Sequence, residues 1–305
     1  MQAVRPRDWT AHWPGSPTQP AKPIMTDYPL PVFLAVLGSA VLHAAWNAVI
    51  RSGADRMLHT GAIVFWTGLI ALPALWFVAP PAKESWGFLG ASNAVHMLYY
   101  VALASAYRTG NLSFAYPLIR GMAPIMVALG ATLVFDEALR PLGWAGILLV
   151  CAGVLLIAFR SRATGTRATI LWSLLCAATI AVYSLSDGRG VRVAGSVAGY
   201  GAWMFVLEAI IFGAGLTVAG RGRDLAIYIV GNWRSTLLGG AMSAAAYGIT
   251  LWAMARAPVA LVSATRETSV LFAALIGVLL LHEHFTRRQW LGAGAVVLGT
   301  LVLRG

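Results

Sequence analysis

Arg120 stands between Pro117 and Pro124, inside an apolar run from Leu112 to about Val134. It lies about 8 residues into that run, roughly 12 Å deep at 1.5 Å per helical residue. At that depth in a bilayer a guanidinium costs at least about 2.5–3.5 kcal/mol, so it must face a bundle interior or water. The chemistry it offers is anion binding, because the planar guanidinium matches a carboxylate or phosphate through two parallel donors. The other reading is a structural ion pair with Glu267 or Glu208. Arg266 lies equally deep in a later run, and there the structural pair is preferred. Glu267 cannot share the face of adjacent Arg266, since neighbours point about 100° apart on a helix. It is free to meet an arginine across the bundle.

Further side chains could line a pocket with Arg120. Tyr116 lies four residues before it and shares its face. The two prolines remove amide donors and predict a kinked helix, with Tyr116 and Arg120 on one wall. His43, Trp46 and Asn47 fall at i, i+3 and i+4, on one face of an earlier apolar run. His43 titrates near neutral pH in an ordinary setting, but a hydrogen-bonded histidine between helices is its commoner role. His96, Tyr99 and Tyr100 repeat the theme, as do Tyr247 and Trp252. Tyr183 and Asp187 are also paired at i, i+4, with Asp187 placed close to the surface at a helix end. Glu208 is the most isolated carboxylate. It could carry a proton or bind an amine, and the preferred reading is a partner for Arg120 or Arg266.

His282-Glu283-His284 invites a metal reading. It lacks the spacing of a helical zinc motif, and residues two apart do not share a helix face. Its counterpart, Asp136-Glu137-Ala138, has no histidine. Neither a metal nor another cofactor is expected, and no catalytic constellation occurs. Cys151 and Cys176 lie in apolar runs without a CxxC pair and read as packing residues.

The elements that position these residues follow from composition. Of the 305 residues, 59% are hydrophobic and 11% charged, against roughly 45–50% and about 25% in a soluble domain. The chain is therefore expected to be an all-α polytopic membrane protein, its bundle standing in the lipid bilayer. Ten apolar runs are long enough to span: 31–50, 58–79, 86–106, 112–134, 139–159, 169–187, 196–219, 234–255, 258–281 and 287–304. The third and eighth are the least apolar, as suits helices facing a cavity. A bilayer forces each span to satisfy its own backbone, hence helices; the alternating pattern of a β-barrel is missing. Residues 1–28 read as a disordered tail, and Met25 is an alternative start. The short connections exclude large extramembrane catalytic domains.

The net charge of +11 does not point to nucleic acid, because nearly all arginines sit in gaps between runs, where they anchor helix ends to headgroups. The basic residues divide almost evenly between the two faces. Without the tail they lean toward termini on the outer side.

Compared with itself at a shift of 146 (266 − 120), the chain pairs Arg120 with Arg266, Glu137 with Glu283, Trp144 with Trp290, Gly146 with Gly292 and Gly153 with Gly299. Each repeat, 29–160 and 168–305, holds five helices. Five is odd, so the second copy must enter the membrane from the opposite side. Inverted repeats are a hallmark of secondary transporters, with substrate near the midplane. The paired glycines read as sites of close helix approach, and Glu137 and Glu283 as structural residues at the interface.

The patterns Arg120-Gly-Met-Ala-Pro124, Phe135-Asp-Glu137-Ala-Leu-Arg-Pro-Leu-Gly-Trp144-Ala-Gly146 and Leu281-His-Glu283-His-Phe-Thr-Arg-Arg-Gln-Trp290-Leu-Gly292 resemble the drug/metabolite transporter superfamily, in its EamA-like type. The resemblance covers all ten predicted helices. It departs in the second repeat, which has Arg266-Glu267 and lacks the intramembrane prolines. It implies a transporter of small metabolites with a central cavity between the repeats.

Taken together, the residues and the resemblance predict a secondary transporter, an exporter of small metabolites such as amino acids or related anionic or zwitterionic solutes. It would work by alternating access in the inner (plasma) membrane. The expected site comprises Arg120, Tyr116, Trp46, Asn47, His43, Tyr100, Glu208, Arg266 and Tyr247. Protons and a second copy of the chain are further partners left open. A lipid-linked-sugar flippase of the same architecture and an intramembrane enzyme are the alternatives.

Overall fold

The computed structural model describes residues 27–51, 55–110, 112–135, 137–158, 165–281 and 286–305. The tail before Asp27 and the His282-Glu283-His284 run lie outside the described residues. All regular structure among the described residues is helical, in the order α1 (Leu30–Arg51), α2 (Arg56–Ala71), α3 (Trp86–Thr109), α4 (Leu112–Phe135), α5 (Pro141–Ala158), α6 (Arg167–Val193), α7 (Val197–Val218), α8 (Gly222–Gly231), α9 (Trp233–Met254), α10 (Val259–Arg266), α11 (Ser269–Leu281) and α12 (Arg287–Val302). A helix falls on every predicted apolar run. Among the described residues, eight helical stretches are long and apolar enough to cross a membrane. α3 and α12 are not among them, α12 having 16 residues. The large side chains of Leu34, Val101, Leu133, Leu171, Ile210 and Leu298 face outward, an apolar exterior that lipid, not water, must cover.

Three local outcomes differ from the expectation. The second run is divided, because Pro73 lacks the amide hydrogen that α2 needs to continue, and Leu72–Trp76 tightens to a 3-10 helix. α8 is an additional short helix after the seventh run; Leu225 anchors it against Phe212 and Leu216 of α7 and Leu58 of α2. The third difference is in the ninth run, 258–281, the counterpart of α4 without its internal prolines. α4 is one continuous helix with Pro117 and Pro124 inside it, whereas this run is broken between α10 and α11. There Glu267, Thr268 and Val270 each donate their N–H three residues back, and the Thr268 hydroxyl takes the Thr265 carbonyl at 2.7 Å. These tighter turns interrupt the α-helix.

The helix ends sort into two layers. In one, Ala82 N–H donates to the Ala194 carbonyl at 2.9 Å. Arg192 meets Glu137 at 2.6 Å, and the other carboxylate oxygen accepts the Val259 N–H at 3.0 Å. A cavity of about 260 Å³ lined by Asp27, Arg140, Pro258 and Arg304 lies in the same layer. In the other layer, Thr169 donates to the Thr109 carbonyl at 2.7 Å, Arg221 pairs with Asp55, and Gln289 reaches the Ile157 carbonyl at 3.5 Å. α3 and α12 each have one end in each layer, as the longer helices do.

The paired glycines meet one another. A Cβ on Gly153 would stand 2.7 Å from the Gly292 carbonyl, and one on Gly146 would stand 3.0 Å from the Gly299 carbonyl. As one residue number rises the other falls, so α5 and α12 run antiparallel at backbone contact. Exchanging each glycine for its partner in the repeat maps one contact onto the other. Cys151 is buried beside this seam, and Cys176 is buried in a second cluster.

Candidate functional site

α4 brings Arg120 against the break between α10 and α11. Its Nε lies 2.9 Å from Glu267 Oε2, and Nη2 donates to Ser269 Oγ at 2.9 Å. The Nε–Oε2 approach is an ion pair but is not aligned as a hydrogen bond, and both atoms are buried without another partner. α4 can extend through this region although Pro124 has no N–H for the Arg120 carbonyl four residues earlier. Tyr116, Tyr99 and Tyr183 lie within electrostatic reach of the same guanidinium. Tyr116 and Arg120, four residues apart, stand on one side of this continuous helix.

Arg266, the twin of Arg120, ends α10. Its guanidinium lies over the Tyr247 ring at 5.2 Å, and its Nε is buried without a hydrogen-bond partner. The preferred structural pair for Arg266 is not formed: among the described residues its direct contact is aromatic. The Arg120 and Arg266 charges both act on Glu267 and on the His43 ring, so the four groups form one neighbourhood.

Helix α1 contributes less directly. Trp46 Nε1 donates to His43 Nδ1 at 3.3 Å, and the Asn47 amide donates to the His43 carbonyl at 2.7 Å. His43, Trp46 and Asn47 thus fasten one another, as their shared face required, and His43 is the member near the arginines.

Among the described residues Glu208 pairs with no arginine. It accepts the Tyr100 hydroxyl at 3.0 Å, and Tyr100 packs on Phe212 with ring centroids 4.8 Å apart. Arg120 takes Glu267 because the α10–α11 turn delivers that carboxylate directly, whereas α7 holds Glu208 against α3. The Tyr100–Glu208 pair joins the arginine cluster through Tyr99, whose ring lies 5.3 Å from that of Tyr100.

Asp187 is the residue the sequence placed worst. It is fully buried, because α6 continues to Val193 beyond the point where its apolar pattern fades. Its carboxylate accepts the Tyr200 hydroxyl at 3.0 Å and the Tyr247 hydroxyl at 2.5 Å, and Ser92 and His96 act on it from α3. His96 stacks on Tyr183 at 4.0 Å. Tyr247 therefore links Asp187 through its hydroxyl to Arg266 through its ring. Tyr200 and Ser92 escaped the sequence reading altogether; each is one ordinary polar residue in an apolar helix. Trp252 lies apart, under Arg256 at 4.6 Å.

The site that results is a buried polar layer: two guanidiniums, the carboxylates of Glu267 and Asp187, and a wall of tyrosines. Such an arrangement can receive an anionic group and stack or hydrogen-bond the remainder of a small solute. Among the described residues no group of three or more His, Cys, Asp or Glu side chains is placed to hold a metal ion.

A solved crystal structure shares this fold, with a TM-score of 0.68 over 89% of this chain and 94% of that one, at 18% sequence identity. Residues 30–159 and 167–305 match the model of the EamA-like transporter family. With its apolar helices, twin arginines and two matching halves, the chain belongs to that family and is a multi-pass, transporter-type membrane protein, consistent with the drug/metabolite transporter superfamily.

Proposed function

We propose that the protein is a secondary transporter that exports small metabolites bearing a carboxylate or similar anionic group, amino acids and related zwitterions among them. It acts in the inner (plasma) membrane. Arg120 receives the anionic group, and Tyr116, Tyr247 and His43 shape the space around it. The observation that carries this reading is the convergence of Arg120 and Arg266, from equivalent places in the two halves, on one buried turn.

Ten crossings arranged as two inverted five-helix repeats, 29–160 and 168–305, are the architecture behind the reading. Its supports are the two-layer placement of the helix ends and the antiparallel glycine seam of α5 and α12. The mechanism is alternating access by rocking of the two halves. Arg120–Glu267, Glu137–Arg192 and Asp55–Arg221 all join one half to the other, so each is a contact that rocking could exchange.

The test is ligand-induced thermal stabilisation followed by solute counterflow in proteoliposomes, for amino acids, organic acids, phosphorylated metabolites and hydrophobic cations. A ligand that binds only the folded protein raises its Tm. A carboxylate solute should both stabilise and exchange. Arg120→Ala should weaken both roughly 10- to 100-fold, the worth of a hydrogen bond to a charged group at about 1.5–3 kcal/mol. Stabilisation by cations alone, unchanged in Arg120→Ala, would overturn the reading.

A further inference from the structure

We propose that Glu267 is an internal occupant of the anion seat: in this state it takes the place of a solute carboxylate on Arg120, and on solute binding it leaves Arg120 while the charge of Arg266 continues to compensate it. The proposal rests on the reading that Arg120 receives the solute's anionic group, and it adds the residue that competes for the seat and limits its charge.

The first support is the quality of the Arg120 contact. A guanidinium and a carboxylate at rest form two parallel N–H···O bonds. Here the Nε and Nη2 edge of Arg120 is divided. Glu267 Oε2 stands 2.9 Å from Nε without hydrogen-bond alignment, while Nη2 is taken by the neutral Ser269 hydroxyl at 2.9 Å. A solute carboxylate laid along that edge would replace a misaligned contact and a neutral one with an aligned pair.

The second support is the place to which Glu267 can go. A buried carboxylate that loses its cation is strongly disfavoured. Arg266 is the residue next to it in the chain, and its charge already acts on Glu267. The Arg266 guanidinium rests on the Tyr247 ring, its Nε is buried without a partner, and no carboxylate pairs with it among the described residues. Glu267 can therefore leave one arginine and remain compensated by the other.

The third support is the backbone. Glu267 stands between α10 and α11, where the turns close three residues back instead of four. Exchange between α-helical and tighter turns there re-aims the side chain without unfolding either helix.

The arrangement also sets specificity. While Glu267 stays in the layer, one of the two arginine charges is already answered, so the seat suits a single negative charge. Removing the Glu267 charge leaves both guanidiniums open and admits a doubly charged ligand.

The experiment titrates propionate, benzoate and succinate against purified wild type, Glu267→Gln, Glu267→Asp and Arg120→Ala, reading Tm at matched ionic strength. Propionate and benzoate should stabilise wild type. Glu267→Gln should respond at concentrations at least tenfold lower and should gain a response to succinate. Glu267→Asp keeps the charge on a shorter arm. It should show the tighter monocarboxylate response without the gain for succinate, and it carries the test if the glutamine variant does not fold. Equal half-saturation in wild type and both Glu267 variants, with the response lost in Arg120→Ala, overturns the internal occupant and leaves the anion seat standing. A carboxylate response that survives in Arg120→Ala overturns the anion seat itself, and the internal occupant with it.

Discussion

At the scale of the residue, two carboxylates give separate tests. Asp55 caps α2 by accepting the N–H groups of Met57 and Leu58, and it pairs with Arg221 at 2.5 Å. The Arg221 hydrogen bond, helped by the backbone donors, holds the Asp55 carboxyl below its ordinary value of 3.8. A carboxyl lowered in the folded state contributes stability above its ordinary value and loses it as pH falls through the folded one. Asp55→Asn keeps the cap and removes the charge. Because the pair is partly exposed, the variant should melt about 1–2 °C below wild type at pH 7. The difference should shrink as pH falls below 3.8 and through the lowered folded-state value; a gap that stays the same size down to the lowest pH at which the protein remains folded would assign the effect to the cap. Asp187 is the buried case. Tyr247→Phe keeps the ring beneath Arg266 and removes one donor from the carboxylate, a loss of about 1–3 kcal/mol. It should lower Tm by about 2–8 °C, and the loss should shrink in the Asp187→Asn background. Additive losses would show that the phenol and the carboxylate act independently. The i, i+4 spacing of Tyr183 and Asp187 was legible, but the depth of Asp187 was not. Gly188 and Gly190 interrupt the apolar pattern although the helix continues through them.

At the scale of the element, the seam of α5 and α12 depends on glycine for proximity, not for backbone freedom. Gly153→Val would drive a side chain into the Gly292 carbonyl and separate the two helices. Its Tm should fall by about 2–8 °C or more, overpacking of this kind costing about 1–3 kcal/mol and occasionally more. Gly294→Ala on the same α12 is the control. A Cβ there meets nothing within 4 Å, and alanine is the better helix former, so Tm should hold or rise slightly. Equal behaviour of the two variants would remove the seam from the account of stability. The repeat pattern in the sequence exposed these glycines, because identical small residues in equivalent places are a packing signal. It did not show the interruption in the counterpart of α4. α4 is one helix through Pro117 and Pro124, while the run 258–281, without internal prolines, is interrupted at Glu267 and Thr268, where local hydrogen bonds three residues back replace those of the helix.

At the scale of the whole molecule, the two layers of helix ends make a topology that labelling can read. Cys151 and Cys176 are buried, so a polar maleimide should leave the wild type nearly unlabelled. In right-side-out vesicles Lys83→Cys and Arg256→Cys should label from one side, and Arg108→Cys and Arg223→Cys from the other. Labelling of positions 83 and 108 from the same side would mean that α3 does not cross, and the ten-crossing architecture would fail. Several features were determined by the sequence alone: a helical membrane class, two related halves, twin arginines too costly to leave in lipid, and glycines spaced for close contact. Each follows from composition, period or self-similarity, properties that a segment carries wherever it packs. The tertiary structure alone decided which carboxylate meets Arg120, that Arg266 rests on an aromatic ring, and that Asp187 is buried among phenols. Glu208 and Glu267 were both chemically fit to answer Arg120. The choice between them depended on which helix brought its carboxylate to within 3 Å of the guanidinium, and that distance is set through space by packing between distant parts of the chain.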